Sequence, residues 1–365
     1  MKDRHIPWAK PTLKGREAAY AAEAVESSWI SGGGFIDRFE REFAAAIDAE
    51  HCITTCNGTA ALQLAMLALD LKAGDEVIVP GFTFAAAANM VLAMGGKPIF
   101  ADVCESTWCI DPKDVAARIT VRTRGIVPVH LYGNVCEMAS LMALAGEHDL
   151  WVIEDAAEAA LSRYHGRAAG CFGAVGCFSF QATKTLAMGE GGAVVTGDRA
   201  LHKRMQLIRN HGMQGARRYW HDVVGFNFRL TNMQAAVGCA QLESRDAICS
   251  ARAQMDRHYR ERLGNVPGLS MQQKTPGAEP VVWAITVRLD RDCFGDRDAV
   301  MAVLAAAGIE TRPGFYSFDR MPLYEAPRLP VAGRIAEETI SLPSFPELTA
   351  VEIDYVCDRL LECHR

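Results

Sequence analysis

EVIVPGFTFAAAANMVLAMGGKPIFADV, residues 76–103, passes from one β-branched run through an Ala- and Met-rich stretch to a second β-branched run. The middle part repeats apolar residues at helical spacing, so the whole reads as strand, helix, strand. Two strands joined by a helical crossover lie parallel, because the helix carries the chain back to the end of the sheet where the first strand began. The same alternation extends outward on both sides. Upstream lies TAALQLAMLALD (59–70); downstream come GIVPVHL (125–131), EMASLMALAGEH (137–148), WVIEDAA (151–157), VGCFSF (175–180) and GAVVTG (192–197). This predicts an α/β fold in which a mostly parallel central sheet is flanked by helices on both faces.

Past residue 235 the texture changes. An Arg-dotted helical segment (233–263) leads through Pro and Gly to a strand candidate, VVWAITVRL (281–289). A helix (298–307), a short strand (308–313), Pro-rich loops and a final helix (349–363) follow. These predict a smaller C-terminal α+β domain, residues 245–365, behind a large domain of residues 1–244.

The 365 residues carry 38 Lys+Arg against 44 Asp+Glu, a formal charge of −6, and half of them are apolar. That balance suits a soluble globular protein and gives no broad electrostatic attraction to nucleic acid or anionic lipid. MKDRHIPWAKPTLKGREAAY, at the start, lacks the apolar core of a signal peptide. No stretch approaches the ~20 apolar residues of a membrane span, so the cytoplasm is the expected location. The twelve cysteines are dispersed, without a CxxC pair or a His at zinc-ligand spacing. No metal is expected, and Cys52, Cys56, Cys171 and Cys177 read as reduced, small apolar residues.

Ligands of an open parallel sheet collect beyond the carboxyl ends of its strands. The residues there are chemically unusual: Phe84 follows EVIVP, Asp102 follows PIF, and His130 and Tyr132 follow GIVPV. Glu154, Asp155 and Glu158 follow WVI, and Ser179 and Lys184 follow VGCF. Of the nine lysines, Lys184 alone stands between a strand end and a Gly-rich turn. It is a candidate nucleophile or Schiff-base lysine, or else a solvated loop lysine. Gly58 and Thr59 open a helix after an apolar run and could seat a phosphate on free N–H groups, with Thr59 equally able to serve as an ordinary N-cap. Ser179 could add a hydroxyl to the same phosphate. Asp155 ends an apolar strand and needs a partner, either a protonated pyridine nitrogen or backbone amides. Phe84 could stack on a flat ring or belong to the core.

A phosphate seat, a stacking aromatic, a carboxylate for a ring nitrogen and a Schiff-base lysine, in that order, describe a pyridoxal phosphate site. Here the chain resembles the DegT/DnrJ/EryC1/StrS family of sugar aminotransferases, a branch of the fold-type I pyridoxal phosphate enzymes. The likeness runs through WISGGGFIDRFEREFA, NGTAALQLA, VPGFTFAAAANM, PVHLYGN, VIEDAAEA, FSFQATKTLAMGEGG, RNHGM, GFNFRLTNMQAA and TRPGFYSF. It implies that Lys184 bonds the cofactor, Asp155 pairs with its ring nitrogen, Gly58, Thr59 and Ser179 hold its phosphate, and Phe84 covers its ring. Asn227 matches an asparagine that reaches the phosphate of the neighbouring subunit, which implies a homodimer with shared active sites. Glu158 falls near the phenolic oxygen, where many members carry Gln or His.

The implied reaction is transamination of a nucleotide-linked keto-deoxy sugar with an amino acid donor. EDAAEA is similar to the branch that aminates GDP-linked 4-keto-6-deoxy hexoses, so GDP-4-keto-6-deoxymannose and glutamate are the expected pair. Arg312 and the basic stretch RNHGMQGARR (209–218) could hold a diphosphate or a donor carboxylate, and His211 and His130 could contact the sugar or carry protons. Each also reads as a surface or structural residue. Gln181 resembles a branch that aminates keto-cyclitols such as scyllo-inosose with glutamine. A non-catalytic pyridoxal phosphate-binding regulator is the alternative from another class. A nicotinamide oxidoreductase lacks support, since SGGGF (31–35) precedes the first strand.

Overall fold

The computed structural model describes residues 5–214, 217 and 219–365. Residues 1–4 at the start, and Gly215, Ala216 and Arg218 of the basic stretch, lie outside the described residues. In chain order the strands are β1 (His51–Thr55), β2 (Glu76–Pro80), β3 (Lys97–Ala101), β4 (Thr123–Ile126), β5 (Trp151–Asp155), β6 (Arg163–Tyr164) and β7 (Arg167–Ala168). They continue with β8 (Val175–Ser179), β9 (Gly192–Thr196), β10 (Leu269–Met271), β11 (Ala278–Glu279), β12 (Thr286–Leu289), β13 (Arg312–Pro313) and β14 (Thr339–Ser341).

Seven of them form the central sheet, in the order β1-β9-β8-β5-β4-β2-β3. Strands β3, β2, β4, β5 and β8 pair in parallel, while β9 runs antiparallel to both β8 and β1. The expected fold-type I architecture, a mostly parallel sheet between helical layers, is therefore present. Strands β2, β8 and β9 are buried along their whole length, as helices on both faces require. The helices Gly58–Ala68, Ala86–Ala93 and Met138–Glu147 fill the connections. On the other face, Phe39 and Phe43 of the helix Gly34–Ala46 meet Phe180 and Phe178 edge to face, at 5.2 and 5.0 Å between ring centroids. The apolar run before Gly58 is strand β1, HCITT, which pairs with β9.

A second, antiparallel sheet has the order β10-β12-β14-β13. Its core joins Val287 and Ile340 to Tyr259 of the helix Arg245–Leu263 and to Val356 and Leu360 of the helix Ala350–Leu361. The N-terminal segment belongs to this layer, for Ile6 is fully buried in the same core and bridges Ile309. Three two-residue strands, β11-β6-β7, make a third sheet that links the two parts of the chain.

The structure corrects two details of the sequence reading. The helical segment 233–263 breaks at Ser244, where the helix Asn232–Glu243 ends and the helix Arg245–Leu263 starts. The strand expected over 281–289 shrinks to β12, because its first half has other hydrogen-bond partners: the N–H groups of Val281, Trp283 and Ile285 go to Ser162 Oγ, Tyr132 O and Ser344 Oγ. All twelve cysteines are free thiols; Cys52 and Cys177 are buried and Cys56 and Cys171 partly so. Among the described residues no helix is long and apolar enough to cross a membrane.

Glu154, at the sheet end beside Asp155, is fully buried and accepts from the N–H groups of Gly170 (2.8 Å), Phe172 (2.5 Å) and Gly173 (2.7 Å). His130 Nδ1 accepts from Cys136 N–H, so its Nε2 carries the proton and donates to Glu154 at 3.0 Å. Glu154→Ala strips the acceptor from four donors and is expected to cost roughly 3 kcal/mol or more, read as a lowered Tm. An unchanged melting curve would show that the 170–173 loop is held by other means.

Candidate active site

A cavity of about 530 Å³ opens where the carboxyl ends of β1, β2, β5 and β8 converge. Asn57, Gly58, Thr59, Phe84, Asp155, Glu158, Ser179 and Lys184 all line it. Residues spread over 128 positions of sequence meet there because each stands just past the same edge of one sheet.

One end of the cavity is built by the helix Gly58–Ala68. Asn57, not Thr59, is its N-cap, accepting from Ala60 N–H at 2.8 Å. Among the described residues nothing accepts from the N–H groups of Gly58 and Thr59, which leaves two donors and the positive end of the helix dipole at the cavity wall. Gly58 packs so closely on β8 that a Cβ there would lie 2.9 Å from Ser179 Cβ, which brings the serine to the helix start.

At the other end, Asp155 is 6 % exposed, and among the described residues its carboxylate accepts a single hydrogen bond, from Ala157 N–H at 3.1 Å. Burial pushes its carboxyl pKa up, against the opposing pull of that N–H and of Lys184 and His130. Backbone amides thus satisfy it only in part, and its remaining capacity faces the cavity. Phe84, 62 % exposed, is not a core residue; its ring stands on the cavity wall, 6.1 Å from that of Phe315.

Lys184 sits in the loop that turns the chain from β8 into antiparallel β9, a loop closed by Ala182 N–H to Gly189 O at 2.9 Å. Its side chain is 15 % exposed, so it is not a solvated loop lysine. Its Nζ lies 3.6 Å from Glu158 Oε1 and 3.9 Å from the ring centroid of Trp283. Glu158 Oε2 accepts from Tyr132 N–H at 2.8 Å. Burial raises the Glu158 pKa, opposed chiefly by Lys184. Gln181 Oε1 takes the N–H and hydroxyl of Thr183, a local turn contact.

Other expected residues stand elsewhere. Arg312 pairs with Glu310 at 2.6 Å and lines an adjoining cavity of about 440 Å³, which shares Phe84, Trp283 and Phe315 with the first. His211 is in the excursion 210–229, where its N–H donates to Phe226 O; it lines neither cavity. Asn227 is exposed on that excursion, away from the cavity of its own chain. Arg209 is neither a surface residue nor an anion holder, because it pairs with Glu40 at 2.6 Å beside Thr54. His130 is enclosed with Glu154 and plays a structural part. Sequence reasoning missed Trp8, Glu190 and Trp283, which all line the cavity. Trp283 follows an unremarkable Val-Val pair, and no local signal marks it.

A buried carboxylate with spare capacity, two free N–H groups at a helix start beside a serine, an exposed ring and a lysine in one cavity fit pyridoxal phosphate. Fold and cavity together are those of a fold-type I pyridoxal phosphate aminotransferase. The chain matches the DegT/DnrJ/EryC1/StrS aminotransferase family over residues 11–361 and belongs to it. It is 38 % identical to GDP-perosamine synthase of Escherichia coli O157:H7 over 362 residues, 98 % of each chain. It is 40 % identical to GDP-perosamine synthase of Caulobacter vibrioides over 356 residues, 96 % of each chain. Among solved structures, DesV of S. venezuelae superposes with a TM-score of 0.89 at 37 % identity, covering 95 % of this chain and 94 % of that one. The protein is a pyridoxal phosphate-dependent sugar aminotransferase.

Proposed function

We propose that this chain transfers the amino group of glutamate to GDP-4-keto-6-deoxymannose, giving GDP-perosamine. The observation that carries the reading is near-end-to-end identity of 37–40 % to three GDP-perosamine synthases, in a chain whose cavity gathers the residues the chemistry needs. The amino sugar would serve an O-antigen or another polysaccharide, made in the cytoplasm.

Bound in the cavity, pyridoxal phosphate supplies an aldehyde that links to amines and a ring that accepts the electron pair left behind when a proton departs. The N–H groups of Gly58 and Thr59 and the hydroxyl of Ser179 hold its phosphate. Asp155 keeps a proton on the ring nitrogen, and Phe84 covers the ring. Lys184 Nζ would be the amine that links to the cofactor's aldehyde. The same Nζ would take and move the proton at the donor's Cα. The same atoms act in reverse on the keto sugar, whose carbonyl carbon receives the nitrogen. Glu158, 3.6 Å from Lys184 Nζ, would hold that amine and stand near the cofactor's phenolic oxygen. Arg312, on the wall of the adjoining cavity, contacts the substrate; His211, off both cavities of its own chain, would do so only from the neighbouring subunit, as Asn227 would reach that subunit's phosphate in a homodimer. The division into a cofactor-binding part, residues 1–244, and a smaller part, 245–365, belongs to the same reading.

Purified protein given GDP-4-keto-6-deoxymannose and glutamate should form GDP-perosamine and 2-oxoglutarate. Turnover of scyllo-inosose with glutamine in its place would move the chain to the cyclitol branch. A cofactor spectrum unmoved by either donor would make it a regulator.

A further inference from the structure

Lys184 projects from a loop, and a loop side chain reaches a fixed point only where the backbone that carries it is fixed. The peptide unit between Thr183 and Lys184 is held at both of its polar ends. Its N–H, that of Lys184, donates to Gln181 O at 2.8 Å, inside the loop. Its C=O, that of Thr183, accepts from the indole N–H of Trp283 at 2.7 Å, from a segment 100 positions away. The first bond closes a turn and moves with the loop; the second ties the loop to another part of the chain. A peptide plane held at both ends cannot rotate, and the direction in which the next Cα–Cβ bond leaves the backbone follows from it.

Trp283 is itself fixed. Its own N–H donates to Tyr132 O at 3.0 Å, and its C=O accepts from Arg252 Nη1 at 2.8 Å. Arg252 is 3 % exposed, donates to Val282 O as well, and among the described residues has no carboxylate partner, so its charge is directed at these two carbonyls. The indole packs against two rings, Trp8 edge to face at 5.6 Å and Tyr132 stacked at 6.3 Å. Tyr132 has φ +57° and ψ +18°, the left-handed region that side-chain-bearing residues avoid unless their surroundings enforce it. In that conformation its C=O meets Trp283 while its N–H donates to Glu158 Oε2 at 2.8 Å. Gly133 follows at φ +98°, and a Cβ there would lie 2.2 Å from Val281 O, so the segment leading to Trp283 can cross only over a glycine.

We propose that Trp283 is a positioning residue for Lys184: anchored by Tyr132 and Arg252, its indole N–H fixes the Thr183 carbonyl and so aims the lysine at the point where the cofactor's aldehyde must lie. The inference rests on the assignment of Lys184 made above. Bond formation to a bound group depends on holding the reacting atoms in place, and a displacement of about 1 Å is enough to slow it by up to about 10²-fold. A buried indole N–H needs an acceptor for the sake of the fold alone. What sets this one apart is the acceptor it has, the carbonyl of the residue before the lysine.

The test is a double-mutant cycle read by the affinity of the full chain for pyridoxal phosphate, measured by equilibrium titration. Trp283→Phe keeps a ring and loses the indole N–H. Beside Lys184 it should weaken cofactor binding about tenfold, the worth of one such hydrogen bond, and lower kcat about tenfold with KM for both substrates within about twofold. In the Lys184→Ala background, where no amine remains to be aimed, it should change the affinity by less than about twofold. A Trp283 that touches the cofactor, or serves only the fold, would weaken binding equally in both backgrounds. That result, or an affinity or kcat that Trp283→Phe leaves unchanged beside Lys184, overturns the proposal. If the phenylalanine variant does not fold, the benzothiophene analogue of tryptophan at position 283, which keeps the shape of the indole and lacks only its N–H, runs the same cycle with the same outcomes. Lys184→Ala alone separates the two levels. Affinity and turnover equal to the wild type refute the assignment of Lys184, whereas loss of both, with equal effects of Trp283→Phe in the two backgrounds, refutes the positioning alone.

Discussion

Replacing Lys184 with alanine is expected to abolish the covalent link to the cofactor and to lower transamination to below roughly 10⁻⁴ of the wild type, because in the proposed reaction one amine serves as both the bonding group and the proton carrier. Cofactor should still bind, since the proposed phosphate seat at Gly58, Thr59 and Ser179 and the carboxylate of Asp155 are left in place. The measurement is a pair: turnover with glutamate and the keto sugar, and the visible spectrum before and after borohydride. Retained activity, or a pyridoxyl adduct trapped by borohydride on another side chain of the variant, would place the chemistry on another residue. The substitution should be structurally mild, because the loop is closed by backbone bonds, Ala182 to Gly189 and Phe180 to Gly191, that do not involve the side chain.

Asp155→Asn should reduce kcat/KM by about 10²–10³, the usual loss when one electrostatic stabiliser of a developing charge is removed. It should move the stability of the two forms of the protein in opposite directions. Without cofactor, Asp155 is a buried carboxylate whose pKa is raised in the folded state by burial. A carboxyl raised on folding contributes stability at pH values below its unfolded pKa and loses that contribution as pH rises through the folded value. At neutral pH the native carboxylate therefore burdens the cofactor-free fold, and Asn should raise its Tm by about 1–3 °C. The gain should vanish once the pH falls below the ordinary carboxylate range. In the holoprotein the same substitution should lower Tm, because the cofactor then binds less tightly and stabilises less. A cofactor-free variant less stable than the wild type at neutral pH would mean that Asp155 serves the fold and not the ligand.

How far these residues could be found in advance depends on what fixes each of them. Lys184, Asp155, Ser179, Gly58 and Phe84 were legible because they follow strand ends, and the strands declare themselves by short β-branched runs between helical stretches. The carboxyl edge of a parallel sheet gathers such residues by topology alone. The roles of neighbours were less legible. Thr59 and Asn57 are two residues apart and both suit a helix cap; only the bond from Ala60 N–H to Asn57 shows which one does so and which is left for a ligand. His130 has the chemistry of a proton carrier, and its enclosure between Glu154 and Cys136 takes it out of the cavity. Arg209 was read as a possible anion holder, yet Glu40, 169 positions earlier, occupies it.

The sequence by itself determined the alternation of strands and helices and the inventory of reactive groups along one sheet edge, since periodicity and residue type are local properties that act over a few neighbouring positions. Tertiary structure alone decided that Trp283 lies against a lysine 99 positions before it and that Tyr132 is bent into a left-handed turn to hold it and Glu158. Those arrangements follow from where a distant segment must cross and from the need of each buried N–H and C=O for a partner, conditions that exist only once the chain has closed on itself.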